Sequence, residues 1–354
     1  MEVKMILTIV LGGIAAIFII FGMIRFIKAQ KYKIRTAAGI QKTDYVVLGG
    51  IDQYIQVRGE DRSNPIIIML HGGPGNAMAF YSYYWQTELE KTYTIINWDQ
   101  RGCANTYYRN KEADKPTLEL LLSDLDELVD YACREFGKDK VVIMGHSWGT
   151  FLGVAYVSKH PEKVAAYVGV GQFHDVWKSE QHAVDEAIRL ANLAGKKQDA
   201  EKIKKQLQIV HTSQEADLQE FMKLRQLTGK YLPSGENTPF AAEIFSPYLS
   251  FNDFKWFLTL LFNFKKFIHI QEELYKTLFS KEELPEHNIT TFEVPVLIIA
   301  GDCDWITPYE MAHDYFKQIS APKKKFILIE KAGHIPFKPG HFTELVMMSL
   351  DELK

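Results

Sequence analysis

A serine that is to attack a carbonyl must be lifted clear of its own chain, and the segment VVIMGHSWGTFLG contains one. Val141 to Met144 form an unbroken apolar run. Gly145, His146, Ser147, Trp148 and Gly149 then satisfy G-x-S-x-G, and a helix-like stretch follows at once. A hydroxyl at the tip of a strand-to-helix turn needs a strained backbone, and flanking glycines remove the side chains that would collide there. The dipole of the following helix favours negative charge developing at that point. A serine hydroxyl is a weak nucleophile at neutral pH, so it needs a base, and the base needs an orienting acid. Two later segments offer them. VPVLIIAGDCDWITP closes an apolar run with Asp302 and Asp304, and KFILIEKAGHIPF closes another with His334. His334 is the expected base. Asp304 is preferred to Asp302 as the acid, because Gly301-x-x-Asp304 followed by Pro308 has the form of a strand-loop-helix acid turn. Asp302 is then expected to cap the turn or to contact solvent.

Acyl transfer also needs donors for an oxyanion. The Trp148 amide, immediately after the serine, is one expected donor. NPIIIMLHGGPG supplies a loop, His71, Gly72, Gly73, Pro74 and Gly75, whose backbone can approach a substrate. Pro74 has no N–H, so Gly73 is the expected second donor. Other ligands fit poorly. The loop lacks the GK[ST] of a phosphate-binding loop, and GVGQFH, from Gly169, lacks the third glycine of a dinucleotide fingerprint. Cys103, Cys133 and Cys303 are far apart, without C-x-x-C spacing, and read as reduced thiols. No metal or organic cofactor is expected.

The elements that must position these groups are legible in outline. DYVVLGG and DQYIQVRGE read as two strands joined at Gly49-Gly50. NPIIIML, YTIINWDQRG, KVVIMGHSWG, KVAAYVGVG, VPVLIIAGDCD and KKFILIEKAGH lack alternation and read as strands buried on both faces. Helical stretches separate them, the clearest running from Thr117 to Gly137 with leucines at helical spacing. Alternating strands and helices predict an α/β fold with a mostly parallel sheet, whose functional groups gather at the strands' carboxyl ends. Between Gly171 and Asn288 no buried-strand run appears, and the interval is too long for a structureless loop. The expected organisation is a membrane anchor and basic flank over 1–35, a first part of the core over 44–171, a helical lid over 172–288 and a second part of the core over 289–354.

The anchor rests on Met5 to Ile24, an uncharged apolar run of about the 20 residues that a membrane-crossing helix needs. A secretory signal would have a shorter apolar region and a small-residue cleavage site, whereas this run ends in RFIKAQKYKIR. An uncleaved, single-pass anchor is expected. Arg25, Lys28, Lys31, Lys33 and Arg35 follow it and only Lys4 precedes it, which places the catalytic domain on the cytoplasmic side. Gly12 and Ala16 form a small-x-x-x-small pair suited to helix pairing. The net charge of −3 gives no basic footprint for nucleic acid, which is excluded as a partner.

HGGPG, DQRG and GHSWG in this order, with GDCD and AGH later, resemble the proline iminopeptidase group of α/β-hydrolases, from about Asp44 to the C-terminus. The resemblance implies an α/β-hydrolase fold, a mostly parallel central sheet with an inserted helical lid, preceded here by one transmembrane helix. By motif position Ser147 resembles the nucleophile, Asp304 the acid, His334 the base, and Gly73 and Trp148 the oxyanion donors. His71, Gly72, Pro74, Gly75, Asp99, Gln100, Arg101, Gly102 and His146 match the motif residues that shape such a site. The family's second motif runs D-Q-R-G-C-G-x-S; Asp99 to Cys103 follow it, and Ala104, Asn105 and Thr106 depart from it.

In such enzymes lid carboxylates bind the substrate's amino group, and the lid usually carries W-x-x-W-E. That segment is absent here, and Glu180, Glu186, Glu236 and Glu243 are the carboxylates available. The expected function is a serine hydrolase working through an acyl-enzyme, proline iminopeptidase-like, on a small-molecule or short-peptide substrate. The alternative is a carboxylic ester hydrolase acting on small or lipophilic esters; a third reading is a noncatalytic binding domain on the same fold. The aromatic run Phe245 to Phe267 suits an apolar acyl group and is equally explained as lid core. A serine rather than a carboxylate at the turn argues against haloalkane dehalogenase and epoxide hydrolase chemistry.

Overall fold

Aliphatic runs without polar interruption build the centre of the sheet. In the computed structural model, which describes residues 2–212, 218–280 and 288–353, eight strands lie in the order β1-β2-β4-β3-β5-β6-β7-β8. They are β1 (Ile40–Leu48), β2 (Ile51–Gly59), β3 (Ile66–Leu70), β4 (Thr94–Trp98), β5 (Val141–His146), β6 (Val164–Val170), β7 (Val296–Gly301) and β8 (Lys324–Ile329). The β1–β2 hairpin is antiparallel and joins the rest through β2 and β4; every later neighbour is parallel. β1 begins at Ile40, ahead of the expected start at Asp44, because it pairs with β2 all the way to Gly59. β3, β4, β5 and β7 are buried at every residue. β8 departs from the expectation of a strand buried on both faces. It is the edge strand, with one flank unpaired, and Leu328 is 41% exposed.

Side chains alternate across the strands and feed two cores. Ile66, Ile68, Leu70, Val141 and Ile143 pack on one face with the helices α3 (Leu118–Phe136) and α4 (Trp148–Lys159). Ile67, Met69, Val142 and Met144 pack on the other with the C-terminal helix, α13 (His341–Leu353). α3 matches the predicted helix: the Thr117 side chain accepts from the Leu120 amide, and Gly137 closes it at φ +61°. The remaining core helices are α2 (Ala104–Arg109), after β4, and α12 (Tyr309–Gln318), after β7.

Seven helices fill the interval between β6 and β7 among the described residues. They are α5 (Val176–Leu193), α6 (Lys197–Thr212), α7 (Leu218–Thr228), α8 (Phe240–Ile244), α9 (Phe251–Phe262), α10 (Phe264–Ile270) and α11 (Glu272–Leu278). They cover the carboxyl edge of the sheet. α9 is clamped at its start by a capping box between Ser250 and Asp253 and held to the sheet side by Trp256, whose Nε1 donates to Gly75 O at 2.8 Å. The N-terminal helix, α1 (Glu2–Lys31), is long and apolar enough to cross a membrane, and none of its apolar window is buried in the protein. Its far end is tied to the lid. Arg25 Nη2 donates to Leu249 O at 2.7 Å, Lys28 Nζ to Ala241 O at 3.2 Å, and the Phe21 ring lies 5.6 Å from that of Phe245.

Candidate active site

Parallel pairing sets the tips of the strands level. Leu70 pairs with Gly145, His146 with Val170, and Gly301 with Ile329, so the loops after β3, β5, β7 and β8 emerge at one edge. Ser147 occupies the turn from β5 into α4 with φ +52° and ψ −120°, a strained conformation for a residue with a side chain. Its neighbours explain how the turn is possible. A Cβ on Gly145 would strike the Gly149 carbonyl, and one on Gly149 would strike the Leu70 carbonyl. The turn is pinned by Ser147 N donating to Val170 O at 3.0 Å and Thr150 N to Ser147 O at 2.8 Å. Trp148 is the first residue of α4, so its amide has no carbonyl within the helix to receive it.

The two residues expected as acid and base, distant in the chain, meet. Asp304 Oδ2 lies 2.9 Å from His334 Nδ1 and accepts from Thr307 Oγ1 at 2.7 Å, while Oδ1 accepts from the Ile306 and Thr307 amides, each at 2.9 Å. Burial alone would raise this carboxyl; the adjacent His334 and the Thr307 donors outweigh it and hold it below its ordinary value. Asp302 does not join them. Its Oδ1 is buried without a hydrogen-bond partner, so it neither caps the turn through that atom nor meets solvent there.

Two further histidines are fixed as neutral supports. His146 Nε2 donates to the His334 carbonyl at 2.8 Å, and burial, reinforced by the nearby His334, lowers its pKa to about 3. His71 Nε2 accepts from the Gln100 amide at 3.2 Å, which leaves Nδ1 to carry the proton and donate to Gly72 O at 2.9 Å. Burial lowers its pKa to about 4. His71 thus ties the HGGPG loop to the DQRG loop. Arg101 holds the latter from behind, gripping Asp124 with two bonds of 2.8 and 2.9 Å and reaching Gly49 O at 2.9 Å.

The departure from the expected second motif has a structural explanation. Ala104 takes φ +40°, a left-handed value, where the family pattern has glycine. Asn105 Nδ2 donates to Asp99 Oδ2 at 2.9 Å and to Asp253 Oδ1, on α9, at 2.8 Å. Burial, and then the charge of Asp253, push the Asp99 carboxyl well up, and through Asn105 the pair braces α9 against this loop. Gln271 Nε2, donating to Gly102 O at 2.7 Å, adds a second brace.

Ser147, Trp148, His334, His146, Gly72 and Gly73 line one cavity of about 280 Å³. Of the remaining motif residues, His71, Gln100 and Arg101 do not line it and act on its loops through the bonds above, while the Gly75 and Gly102 carbonyls accept from Trp256 and Gln271 of the inserted helices. The roof is supplied by Leu218, Met222, Leu260, Phe264, Phe267, Tyr275, Leu278 and Phe279. Arg225 is the one Lys or Arg among the described lining residues; its Nε donates to Glu180 Oε2 at 3.0 Å. None of the four anticipated lid carboxylates lines the cavity. Glu180 is buried against Arg225, Glu186 pairs with Arg189, Glu236 pairs with Lys338, and Glu243 lines a separate apolar hollow. Among the described residues no cluster of three or more His, Cys, Asp or Glu is disposed to hold a metal ion.

Sequence reasoning missed Thr307, which bonds Asp304, and Arg225, which lines the cavity. Thr307, in the turn before Pro308, carried a readable signal as a hydroxyl three residues after the acid. Arg225 carried none, because its approach to the cavity depends on how α7 packs.

The sequence profile described as alpha/beta hydrolase fold matches residues 65–340. The chain is similar to a probable aminopeptidase, YbaC, of Bacillus subtilis (strain 168), at 25% identity over 82% of this chain and 89% of the relative. It is similar to a proline iminopeptidase of Lactobacillus helveticus at 22% identity, over 86% and 95%. Among solved structures, a proline iminopeptidase-related protein from Thermus thermophilus superposes with a TM-score of 0.57 at 14% identity, covering 89% of this chain and 98% of that one.

Proposed function

The chain belongs to the alpha/beta hydrolase family and is an enzyme of that type, and on that premise we propose that it is a membrane-anchored serine hydrolase of carboxylic esters. Ser147 Oγ attacks the ester carbonyl while His334 takes its proton. Asp304 holds the imidazole by Nδ1 and stabilises the imidazolium. The Gly73 and Trp148 amides receive the oxyanion. His334 then protonates the leaving alcohol, and water, deprotonated by His334, releases the acid and regenerates Ser147. The 2.9 Å contact between Asp304 and His334 supports the acid and base roles.

The observation that carries the substrate class is the cavity itself. Its roof is aliphatic and aromatic, and no carboxylate lines it among the described residues. A free α-ammonium group would enter without a counter-charge, at a desolvation cost of several kcal/mol. An acyl chain enters at no such cost. α1 supports the anchor, and the basic residues after it support a cytoplasmic catalytic domain.

Aminopeptidase activity is the second reading. The names of the relatives favour it, and so does one detail: Glu180 Oε1 is buried without a hydrogen-bond partner beside Arg225. The deciding experiment compares purified protein on proline arylamide and on nitrophenyl esters of rising chain length. We expect kcat/KM to rise with chain length and to exceed that for the arylamide; a preference for the arylamide overturns the ester reading.

A further inference from the structure

We propose that the outer face of α8 to α10 is seated in the surface of the lipid bilayer, so that lipophilic substrates reach the cavity from the membrane. This rests on α1 being a membrane anchor. The depth follows from α1 itself. Phe21 lies inside the apolar run and precedes Arg25 by four residues, about 6 Å of helix rise. Whatever touches Phe21 therefore stands at the level of the hydrocarbon. Phe21 shares an apolar hollow with Phe80, Phe240, Leu249, Phe254 and Phe257. The anchor is not loosely hinged to this region, since Arg25 and Lys28 both bond lid carbonyls.

α9 is apolar on both sides. Trp256 and Leu260 face inward, the first buried and the second lining the cavity. Phe251, Phe254, Leu261 and Phe262 face outward and are 74%, 46%, 57% and 80% exposed. Positions 251, 254, 258 and 261 follow helical spacing, so this is one continuous face. A helix on a soluble surface carries polar residues there. Leaving such side chains in water forgoes the gain of burying them, and a contiguous apolar patch marks an interaction surface. The occupant is identified by continuity with the exposed apolar surface of α1 and by the basic rim: Lys265 and Lys266, both exposed, follow Phe262, and Lys31 and Lys33 follow α1's apolar run. Aromatic side chains flanked by lysines match the apolar and anionic layers of a bilayer surface. α9 thus stands between the two surfaces, Leu260 lining the cavity on one side and Leu261 exposed on the other.

The test uses the full chain in nanodiscs of phosphatidylcholine and phosphatidylglycerol. Phe254→Cys and Phe262→Cys, each with Cys133→Ser and Cys303→Ser, carry an NBD fluorophore; Lys202→Cys on α6 is the aqueous control. We expect blue-shifted emission at 254 and 262, quenched by doxyl-labelled lipid, and neither effect at 202. Emission at 254 and 262 matching the control overturns the proposal. A blue shift without lipid quenching also overturns it, because a protein then covers the face. In a second arm Phe254→Ser/Leu261→Ser/Phe262→Ser should lose about tenfold or more on a long-chain ester held in vesicles, and keep its rate on a short soluble ester. Equal rates of variant and wild type on the vesicle ester, or equal losses on both esters, overturn delivery from the membrane. Retention of the protein after carbonate extraction reports the anchor separately, and fluorophosphonate labelling of Ser147 reports the hydrolase separately.

Discussion

The floor of the cavity and its roof are built by opposite means. On the floor, most polar groups have a named partner: Asp304 accepts three hydrogen bonds besides its contact with His334, and His146 and His71 are buried, neutral and bonded at the ring. The roof is mostly hydrocarbon, with Arg225 paired to Glu180 as its charged exception, and it continues into exposed phenylalanines. The contrast separates two tasks. Chemistry needs groups fixed to within tenths of an ångström, which hydrogen bonds achieve. Selection of an apolar substrate needs only area and shape.

The sharpest way to break this division is to remove the hydroxyl proposed as the nucleophile. Ser147→Ala should cut turnover by about 10⁶ and abolish fluorophosphonate labelling without lowering Tm, because it deletes one hydroxyl. Persistent labelling identifies another nucleophile. Asp304→Asn comes next, with an expected loss of about 10⁴, since an amide cannot stabilise the imidazolium or keep the same tautomer. Asp302→Asn should leave activity nearly intact. The reverse ranking of these two variants would move the acid to Asp302.

The division also explains what could be read in advance. HGGPG, GHSWG, GDCD and AGH are local, because each places a reacting or positioning group within a few residues of the strand that carries it, and the strand spacing does the rest. Ser147, Asp304 and His334, 157 and 30 residues apart, could therefore be singled out from their motifs, and the structure brings Asp304 and His334 into contact. The lid was legible only as helical. Helical periodicity reports that a face is apolar and is silent on what covers it. The run Phe245 to Phe267 was expected to be acyl pocket or lid core, and the structure divides it three ways: Trp256 is buried outside the cavity, Leu260, Phe264 and Phe267 line it, and Phe251, Phe254 and Phe262 are exposed. Likewise Ala104, Asn105 and Thr106 looked like a breach of the motif, and only the packing of Asp253 beside them gives Asn105 its bridging task.

The roof's charged exception can be tested against the rest. Arg225→Met leaves the buried Glu180 without its cation and should cost about 3 kcal/mol of stability, read as a lower Tm. The same variant sorts the two substrate readings. An apolar-acyl cavity should keep or improve kcat/KM on long esters once the guanidinium is gone. A gain on proline arylamide alone would mean that Glu180, released from Arg225, binds an ammonium group, and would favour the aminopeptidase.

The last effect lies in acid, where floor and roof should part company. His71 and His146 have folded pKa values of about 4 and about 3, lowered by burial from the ordinary value of 6.5. Unfolding lets both take up protons below 6.5, so the unfolded state gains as pH falls from there towards 4. The stability contributed by keeping them neutral is complete above pH 6.5 and declines by about 1.4 kcal/mol per histidine per pH unit through that window. Asp304, held below its ordinary value, keeps its contribution until the pH falls further, so it does not set this slope. Asp99, raised by burial, works in the opposite direction over the same window, so the test is comparative: urea midpoints of the full chain in detergent at pH 7.5, 6 and 5 should fall less steeply, or rise more steeply, in His71→Gln than in wild type. Hydrogen exchange at pH 5 should then rise first in the segments around His71, Gln100 and His146, ahead of α5 and α6, whose surface is held by Lys/Arg–carboxylate pairs such as Arg189 with Glu186 and Lys202 with Asp199. A His71→Gln profile parallel to wild type, or lid helices that loosen before the floor, would mean that the buried imidazoles are not what couples this site to pH.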